Sequence, residues 1–157
     1  MDKKELQHYY EAYAEMIYRL GFTYMKNASD AEDVVQETFL RLARQTAHFA
    51  NEEHVKAWLI VTASNYCKSM LRHWWNRREE MRELEKKSED SPEQDAILDA
   101  VLALPDKYKT AIFLYYYEGY SSEEIARILH KPAGTIRSYL FKGRLLLKEK
   151  IQKGDLL

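Results

Sequence analysis

The 157-residue sequence has one cysteine, three prolines, five glycines and no long apolar run. The single cysteine, Cys67, excludes an internal disulfide and any cysteine-cluster metal site. No stretch approaches the roughly 18 apolar residues that suggest a membrane span, and no apolar block follows the N-terminal lysines as it would in a secretory signal. Helical periodicity runs through almost every segment, and none has the pattern of a strand. We therefore expect a soluble, cytoplasmic, all-α protein without membrane insertion.

Patterns typical of an enzyme are also missing. The histidines show no metal-ligand spacing, and there is no glycine-rich loop that could hold a phosphate. No nucleophile, base and orienting group can be assembled into a catalytic set. We expect a protein that acts by binding, with no cofactor, no metal and no catalytic residue. The histidines are His8, His48, His54, His73 and His130.

The net charge of −1 conceals an uneven distribution. Residues 51–78 carry five basic and two acidic side chains, and residues 100–157 carry ten basic and six acidic side chains. Between them, residues 79–99 carry three basic and nine acidic side chains. The electrostatic potential at a bound phosphate backbone is set by local patches of charge. Two basic blocks are therefore compatible with nucleic-acid binding despite the overall charge.

The chain divides at its polar, acidic middle. Helices are expected over about 3–26, 30–46 and 53–82, then over 97–104 and 108–117. The stretch 85–95 is acidic and contains Pro92, which favours a linker. We expect two small helical domains, 1–80 and 96–157, joined by a flexible acidic linker at 81–95.

The segment SSEEIARILHKPAGTIRSYLFKGR, residues 121–144, has the pattern of a helix-turn-helix. Ser121 and Glu124 form a capping-box pattern, and Pro132 suits the start of a second helix. His130 stands where such turns usually have glycine, so it must tolerate a left-handed backbone. Arginines on the second helix could contact guanine edges, while lysines and serines more often hold phosphates. An ordinary helical hairpin with a basic face is the alternative.

The segment SDAEDVVQETFLRLAR, residues 29–44, predicts an amphipathic helix capped by Ser29 or Asp30. Acids in the first turn are explained by the helix dipole, so they do not require a metal or acid–base site. By these residues alone, a well-capped structural helix is the simpler interpretation. The predicted buried face consists of Ala31, Val34, Val35, Thr38, Phe39 and Leu42.

A third segment, residues 58–78, combines an apolar stripe with a polar one. Asn65, Ser69, Arg72 and Asn76 recur at helical spacing, with basic residues beside them. Such a face could hold single-stranded or melting DNA, because bases stack on aromatic rings while cations follow the phosphates. For Trp74 and Trp75 alone, packing against neighbouring helices is the simpler interpretation. The apolar stripe is predicted to contain Leu59, Ala63, Tyr66, Cys67, Met70 and Trp74.

Taken in this order, the segments resemble one family over nearly the whole chain. The chain is similar to an extracytoplasmic-function (ECF) sigma factor of the sigma-70 family. The similarity lies in DAEDVVQETFLRL, in WL followed by Asn65 and Arg72, in LPDKYKTAIFLYYYEGYSSEEIARIL and in GTIRSYL. The resemblance implies an alternative specificity subunit that joins core RNA polymerase and directs initiation at promoters with −35 and −10 elements. It also implies control by an anti-sigma factor.

The resemblance further implies three sets of site residues. Core-polymerase docking would use Asp33, Gln36, Glu37 and Leu40. Recognition of the −10 element would use Asn65, Lys68, Ser69, Arg72 and Arg77. Recognition of the −35 element would use Thr135, Arg137, Ser138, Tyr139, Phe141, Lys142 and Arg144.

Two of these positions depart from the family pattern. Members often have aspartate where Ser69 stands and arginine where Tyr139 stands, which puts the −10 contacts and the −35 preference in doubt. The acidic stretch 85–95 could imitate nucleic acid near the RNA exit path. Two other interpretations remain: a free-standing helix-turn-helix regulator that binds duplex DNA as a dimer, and an interaction adaptor that has lost DNA binding.

Overall fold

The computed structural model describes residues 1–78, 100–101 and 103–154, with the side chains of 74–78, 153 and 154 excepted. These residues are helical, with turns and short loops, and none lies in a strand, which confirms the all-α prediction. Residues 100 and 101 are helical as well. The predicted linker 81–95 and residues 97–99 and 102 of the helix predicted over 97–104 lie outside the described residues. The helices are α1 (Lys3–Met25), α2 (Ala28–Arg44), α3 (Glu52–Arg78), α4 (Asp106–Tyr116), α5 (Ser122–Leu129) and α6 (Ala133–Gly154).

Side chains at the chain's turns fix where the first helices begin. Asp2 and Glu5 form a capping box at the start of α1. The expectation that Ser29 or Asp30 caps α2 was wrong, because the cap is Asn27. Its side-chain oxygen accepts from the Asp30 N–H at 2.8 Å, and its amide donates to the Asp30 carboxylate at 2.8 Å. Asn27 satisfies an orphan donor of the first turn, so the helix begins at Ala28.

The N-terminal domain consists of α1, α2 and α3, each packed against the other two. The predicted inward face of α2 is confirmed, because all six of its residues are buried. Gly21 permits a close approach of α1 to α2: a Cβ there would lie 3.2 Å from the Cβ of Val34. The largest fully buried side chains of this domain are Ile17, Leu20, Tyr24, Val34, Leu42, Val55, Leu59 and Ile60.

In the C-terminal domain, α4 packs against both α5 and α6. Phe113 and Leu114 of α4 are buried with Ile125 of α5 and Ile136 of α6. Gly143 lets α6 lie directly against α4, because a Cβ there would be only 2.9 Å from Cδ1 of Ile112. The predicted inward orientation of Ile136 and Leu140 is confirmed, since both are buried.

The two domains are packed together. Contacts join α1 to α4 and α3 to α5, and buried apolar residues of both domains belong to one cluster. At their junction the Tyr24 hydroxyl lies 2.7 Å from the Thr110 hydroxyl, which donates to Ser64 at 3.0 Å. The sequence alone did not indicate this arrangement.

Candidate functional site

A tight turn sets α6 against α5. Ser121 accepts from the Glu124 N–H at 3.1 Å, and the Glu124 carboxylate accepts from the Ser121 N–H at 2.8 Å. This confirms the predicted capping box. Hydrogen bonding to the Ser121 backbone is also the main reason that the pKa of Glu124 is lowered. At the other end of α5, His130 has φ 57° and ψ 47°. The expected left-handed histidine is therefore confirmed, and the turn has helix-turn-helix geometry without glycine at this position.

Several side chains of α6 are open to solvent. Arg137, Lys142 and Arg144 are exposed, and Phe141 is 58% exposed, which is high for a large aromatic residue. Thr135 and Ser138 on the same helix are half-buried. Exposed cations and hydroxyls on one helix can contact phosphates and base edges.

Two of the predicted −35 residues also make contacts within the protein. The Tyr139 ring is half-buried and lies edge-to-face against Tyr108, with ring centroids 5.5 Å apart. Arg144 donates to the Tyr116 hydroxyl at 3.1 Å. Part of the Tyr139 ring is therefore packed against α4. Arg144, by contrast, is exposed, and its hydrogen bond to Tyr116 of α4 positions its guanidinium.

A second exposed surface lies on α2. Asp33, Gln36 and Leu40 are exposed, with Leu40 at 50%. Glu37 is half-buried and accepts from Arg41 at 2.8 Å, an i,i+4 ion pair along the helix. The Arg41 guanidinium also lies 5.2 Å from the centre of the Tyr66 ring on α3. This surface of α2 therefore presents acidic, amide and apolar groups together, on a helix that contacts α3.

Three of the four residues of the polar stripe of α3 face solvent, as their spacing predicts, and the side chain of Asn76 lies outside the described residues. Asn65, Ser69 and Arg72 are exposed and Lys68 is half-buried. On the opposite side of the helix, Ala63 and Cys67 are buried, in agreement with the predicted apolar stripe. The side chains of Arg77, Trp74 and Trp75 lie outside the described residues, so the −10 role of Arg77 stays a prediction.

Comparison with known proteins identifies both domains. Residues 9–77 match the model of sigma-70 region 2, and residues 94–147 match that of sigma-70 region 4. The chain belongs to the sigma-70 family of RNA polymerase sigma factors. Among its relatives are several ECF sigma factors, and it is an alternative sigma factor of the ECF type. Such a protein gives RNA polymerase its specificity in transcription initiation.

Relatives and one solved structure extend over most of this sigma factor. The RNA polymerase sigma factor SigV of Bacillus subtilis is 32% identical over 143 residues, covering 88% of this chain and 86% of that protein. The ECF sigma-E factor of Haemophilus influenzae is 31% identical, covering 96% and 89%. The sigma factor RpoE, solved in complex with the anti-sigma factor NepR from Bartonella quintana, is 20% identical and superimposes with a TM-score of 0.72 over 97% of this chain and 99% of that one. The last comparison shows the shared fold.

Metal-ligating groups, apolar helices and the single thiol were considered in the part of the sigma factor that the structure describes. No group of three or more His, Cys, Asp or Glu residues there could hold a metal ion. None of the described helices combines the length and apolar character needed to cross a bilayer. Burial raises the pKa of the Cys67 thiol to about 12, so the reactive thiolate form is disfavoured near neutral pH.

The contacts between the two domains were missed by sequence reasoning. Lys109 is only 2% exposed, and burial lowers the pKa of its amine while nearby Asp106 opposes that effect. Its nitrogen lies 4.9 Å from the centre of the Tyr24 ring. In the structure every residue from Tyr108 to Leu114 is buried, which is more than a helix with a single apolar face requires, and the polar Lys109 and Thr110 give no sign of this in the sequence. Such a helix is covered on more than one side.

Proposed function

We propose that the N-terminal domain, residues 1–80, docks this sigma factor on core RNA polymerase and recognises the −10 element. The C-terminal domain, residues 96–157, recognises the −35 element. The observation that carries the proposal is the α5–turn–α6 geometry, together with the exposure of Arg137, Phe141 and Lys142 on the second helix. A recognition helix inserted in a major groove needs exposed side chains of this kind.

The proposed −35 contacts divide into two chemical classes. Arg137 is exposed near the start of α6 and is assigned to a base edge, where a guanidinium can bind guanine bidentately. Lys142, Arg144, Thr135 and Ser138 are assigned to phosphates or to neighbouring edges, and Phe141 to an apolar contact. Tyr139 reaches DNA only with its exposed part, because the rest of the ring packs on Tyr108.

Docking on core polymerase is assigned to Asp33, Gln36, Glu37 and Leu40. Support comes from the exposure of three of them on a helix held rigidly against α1 and α3. The −10 element is assigned to Asn65, Lys68, Ser69 and Arg72, with Arg77 at the end of α3. Amides and cations on one helix face can hold splayed bases and follow the backbone of an opened strand.

This mode of action is binding without catalysis, in the cytoplasm, and promoter melting is driven by contacts with polymerase and by captured bases. An anti-sigma factor is a further proposed partner. It is supported by RpoE, which was solved in complex with the anti-sigma factor NepR and has the same fold over nearly its full length.

The decisive experiment combines the purified chain with core RNA polymerase and a genomic promoter library, with binding to free DNA measured alongside. We expect polymerase-dependent initiation from a defined set of promoters and weak binding of the isolated protein to the same DNA. Tight dimeric binding to duplex DNA without polymerase association would instead identify a free-standing regulator. Normal initiation after neutralising Arg137 and Lys142 together would favour an adaptor that does not contact DNA.

A further inference from the structure

Tyr116 and Arg144 form an exposed hydrogen-bonded pair between α4 and α6. Arg144 donates from Nη1 to the Tyr116 hydroxyl at 3.1 Å, across 28 positions of sequence. Tyr116 is the last residue of α4 and is 50% exposed, and Arg144 is exposed as well. Because solvent reaches both side chains, the pair lies on the surface and not in the core.

The pair keeps most of its hydrogen-bonding capacity for other partners. A tyrosine hydroxyl can accept and donate at once, so the Tyr116 hydroxyl that accepts from Arg144 still has its own proton to donate. A guanidinium has several N–H groups, and Arg144 uses one of them here. Within the described part of the chain, no carboxylate pairs with Arg144 and no acceptor takes the Tyr116 proton. Both groups therefore donate to water, which an anion can replace.

Lys148 adds a second positive charge beside this pair. Tyr116, Arg144 and Lys148 line one surface cavity between α4 and α6, and Lys148 is exposed. Among the described residues, no aspartate or glutamate lines that cavity. Arginine, lysine and tyrosine hydroxyls are groups that hold phosphate oxygens in protein–DNA complexes. The chemistry of the site therefore favours a phosphate.

The position of the pair along α6 suits a phosphate of duplex DNA. Arg144 follows Arg137 by seven residues and precedes Lys148 by four, and residues at these spacings share one side of a helix. Seven residues extend about 10 Å along a helix, and the major groove is about 12 Å wide. If Arg137 near the start of α6 contacts a base edge, Arg144 lies about one groove's width away, where the phosphate backbone runs.

We propose that the Tyr116 hydroxyl and the Arg144 guanidinium together bind one backbone phosphate beside the −35 element, with Lys148 adding charge next to it. The inference rests on the proposed assignment of −35 recognition to α6. Tyr116 donates to the phosphate and also holds Arg144 in place, which lowers the side-chain entropy lost on binding. Phosphate contacts carry no sequence information, so the site contributes affinity and register and leaves base preference unchanged.

Tyr116→Phe tests the site, because it removes the hydroxyl and keeps the ring. Promoter binding is measured with holoenzyme assembled from the full-length chain, and binding to core enzyme without DNA is measured alongside. We expect about two- to tenfold weaker promoter binding, with unchanged base selectivity at the −35 element and unchanged binding to core enzyme.

Tyr115→Phe is the matched control for this substitution. Tyr115 precedes Tyr116, is 39% exposed and lies edge-to-face against it, with ring centroids 4.9 Å apart. Removing its hydroxyl keeps that ring contact, so promoter binding is expected to equal wild type. Equal binding by Tyr116→Phe and wild type would overturn the proposal. Weaker binding of Tyr116→Phe to core enzyme without DNA would overturn it as well, by assigning the hydroxyl to a protein contact.

Chemical neutralisation of single phosphates locates the contact. Promoters that carry one methylphosphonate linkage, at each position in and beside the −35 element, are compared with wild type, Tyr116→Phe and Arg144→Ala. We expect wild type to lose about tenfold in affinity at one linkage, and both variants to be much less sensitive to that same linkage. Reduced sensitivity in Arg144→Ala alone would remove Tyr116 from the contact. Wild-type sensitivity in both variants would remove the whole site.

Wild-type holoenzyme assayed in parallel separates the two hypotheses. If its promoter binding does not depend on the −35 sequence, and Arg137→Ala and Lys142→Ala bind as wild type does, the proposed function of α6 fails and the phosphate site fails with it. If wild-type binding depends on the −35 sequence and Tyr116→Phe still equals wild type, only the phosphate site is wrong.

Discussion

The hydroxyl groups of Tyr24 and Thr110 lie 2.7 Å apart, although the two residues are separated by 86 positions. Tyr24 is at the end of α1 and Thr110 is in the middle of α4. Their hydrogen bond therefore links the domain assigned to polymerase docking with the domain assigned to −35 recognition. Burial raises the pKa of the Tyr24 hydroxyl, so it remains a protonated donor at physiological pH.

Thr110→Val is expected to lower the free energy of unfolding by about 1–3 kcal/mol. The substitution keeps the side-chain shape but removes the partner of both the Tyr24 and Ser64 hydroxyls, which would then be buried without hydrogen bonds. Urea denaturation followed by circular dichroism measures the change. The matched control adds Tyr24→Phe and Ser64→Ala to Thr110→Val, and it should recover part of the loss. A single variant as stable as wild type would show that the hydroxyl chain contributes nothing.

Asp33→Lys is expected to weaken binding to core RNA polymerase by about tenfold or more, because a reversed charge at the centre of a docking surface opposes its partner. Binding is measured by fluorescence anisotropy of labelled protein titrated with core enzyme. Glu32→Lys is the matched control, since Glu32 is the preceding residue on α2 and is also exposed. Equal effects of the two substitutions would count against the assignment of this face.

Arg137→Ala is expected to weaken promoter binding by the holoenzyme by about 1–3 kcal/mol and to relax selectivity at one position of the −35 element. The reason is the loss of a bidentate contact to a base edge. Competition between promoter variants carrying each base at each −35 position gives the selectivity. Lys150→Ala, on the exposed distal part of the same helix, is the control. Unchanged selectivity would assign Arg137 to a phosphate or remove it from the interface.

Gly143→Ala is expected to destabilise the protein by about 1–3 kcal/mol, because a Cβ would lie 2.9 and 3.0 Å from two carbons of Ile112 and force α6 away from α4. Thermal unfolding measures the sign of the change in stability. Gly134→Ala is the opposite case on the same helix: its nearest neighbour would be an Arg137 nitrogen at 3.8 Å, so alanine should stabilise the helix by about 0.5–1 kcal/mol. A stabilising Gly143→Ala would show that the α4–α6 contact adapts easily.

Local patterns predicted the helices and much of the candidate site. The spacing of Val34, Phe39 and Leu42 predicted the buried face of α2, because only one side of an amphipathic helix can face the core. The capping pair Ser121 and Glu124 located the start of α5 for the same local reason. The cap of α2 was assigned two or three residues too late, because Asn27, Ser29 and Asp30 are all residues favoured at such positions and only the backbone geometry distinguishes them.

Contacts over long sequence distances were not predictable in this way. Tyr139 carries no local sign of its packing against Tyr108, which limits how much of its ring can meet DNA. Lys109 would ordinarily be placed in solvent, since lysine is almost never fully buried without a partner. Its burial follows from the N-terminal domain, which covers the side of α4 that a free C-terminal domain would expose to water.

The sequence by itself determined the helices, their inward faces, the helix-turn-helix and the sigma-factor family, because these depend on periodicity, capping and short motifs within each segment. The tertiary structure decided which polar groups pair across the domains and which helices of the two domains pack together. Hydrogen bonds and ion pairs between residues such as Tyr24 and Thr110, or Arg19 and Glu118, depend on the relative placement of whole domains. That placement is fixed by the summed packing of both surfaces, and no local segment encodes it.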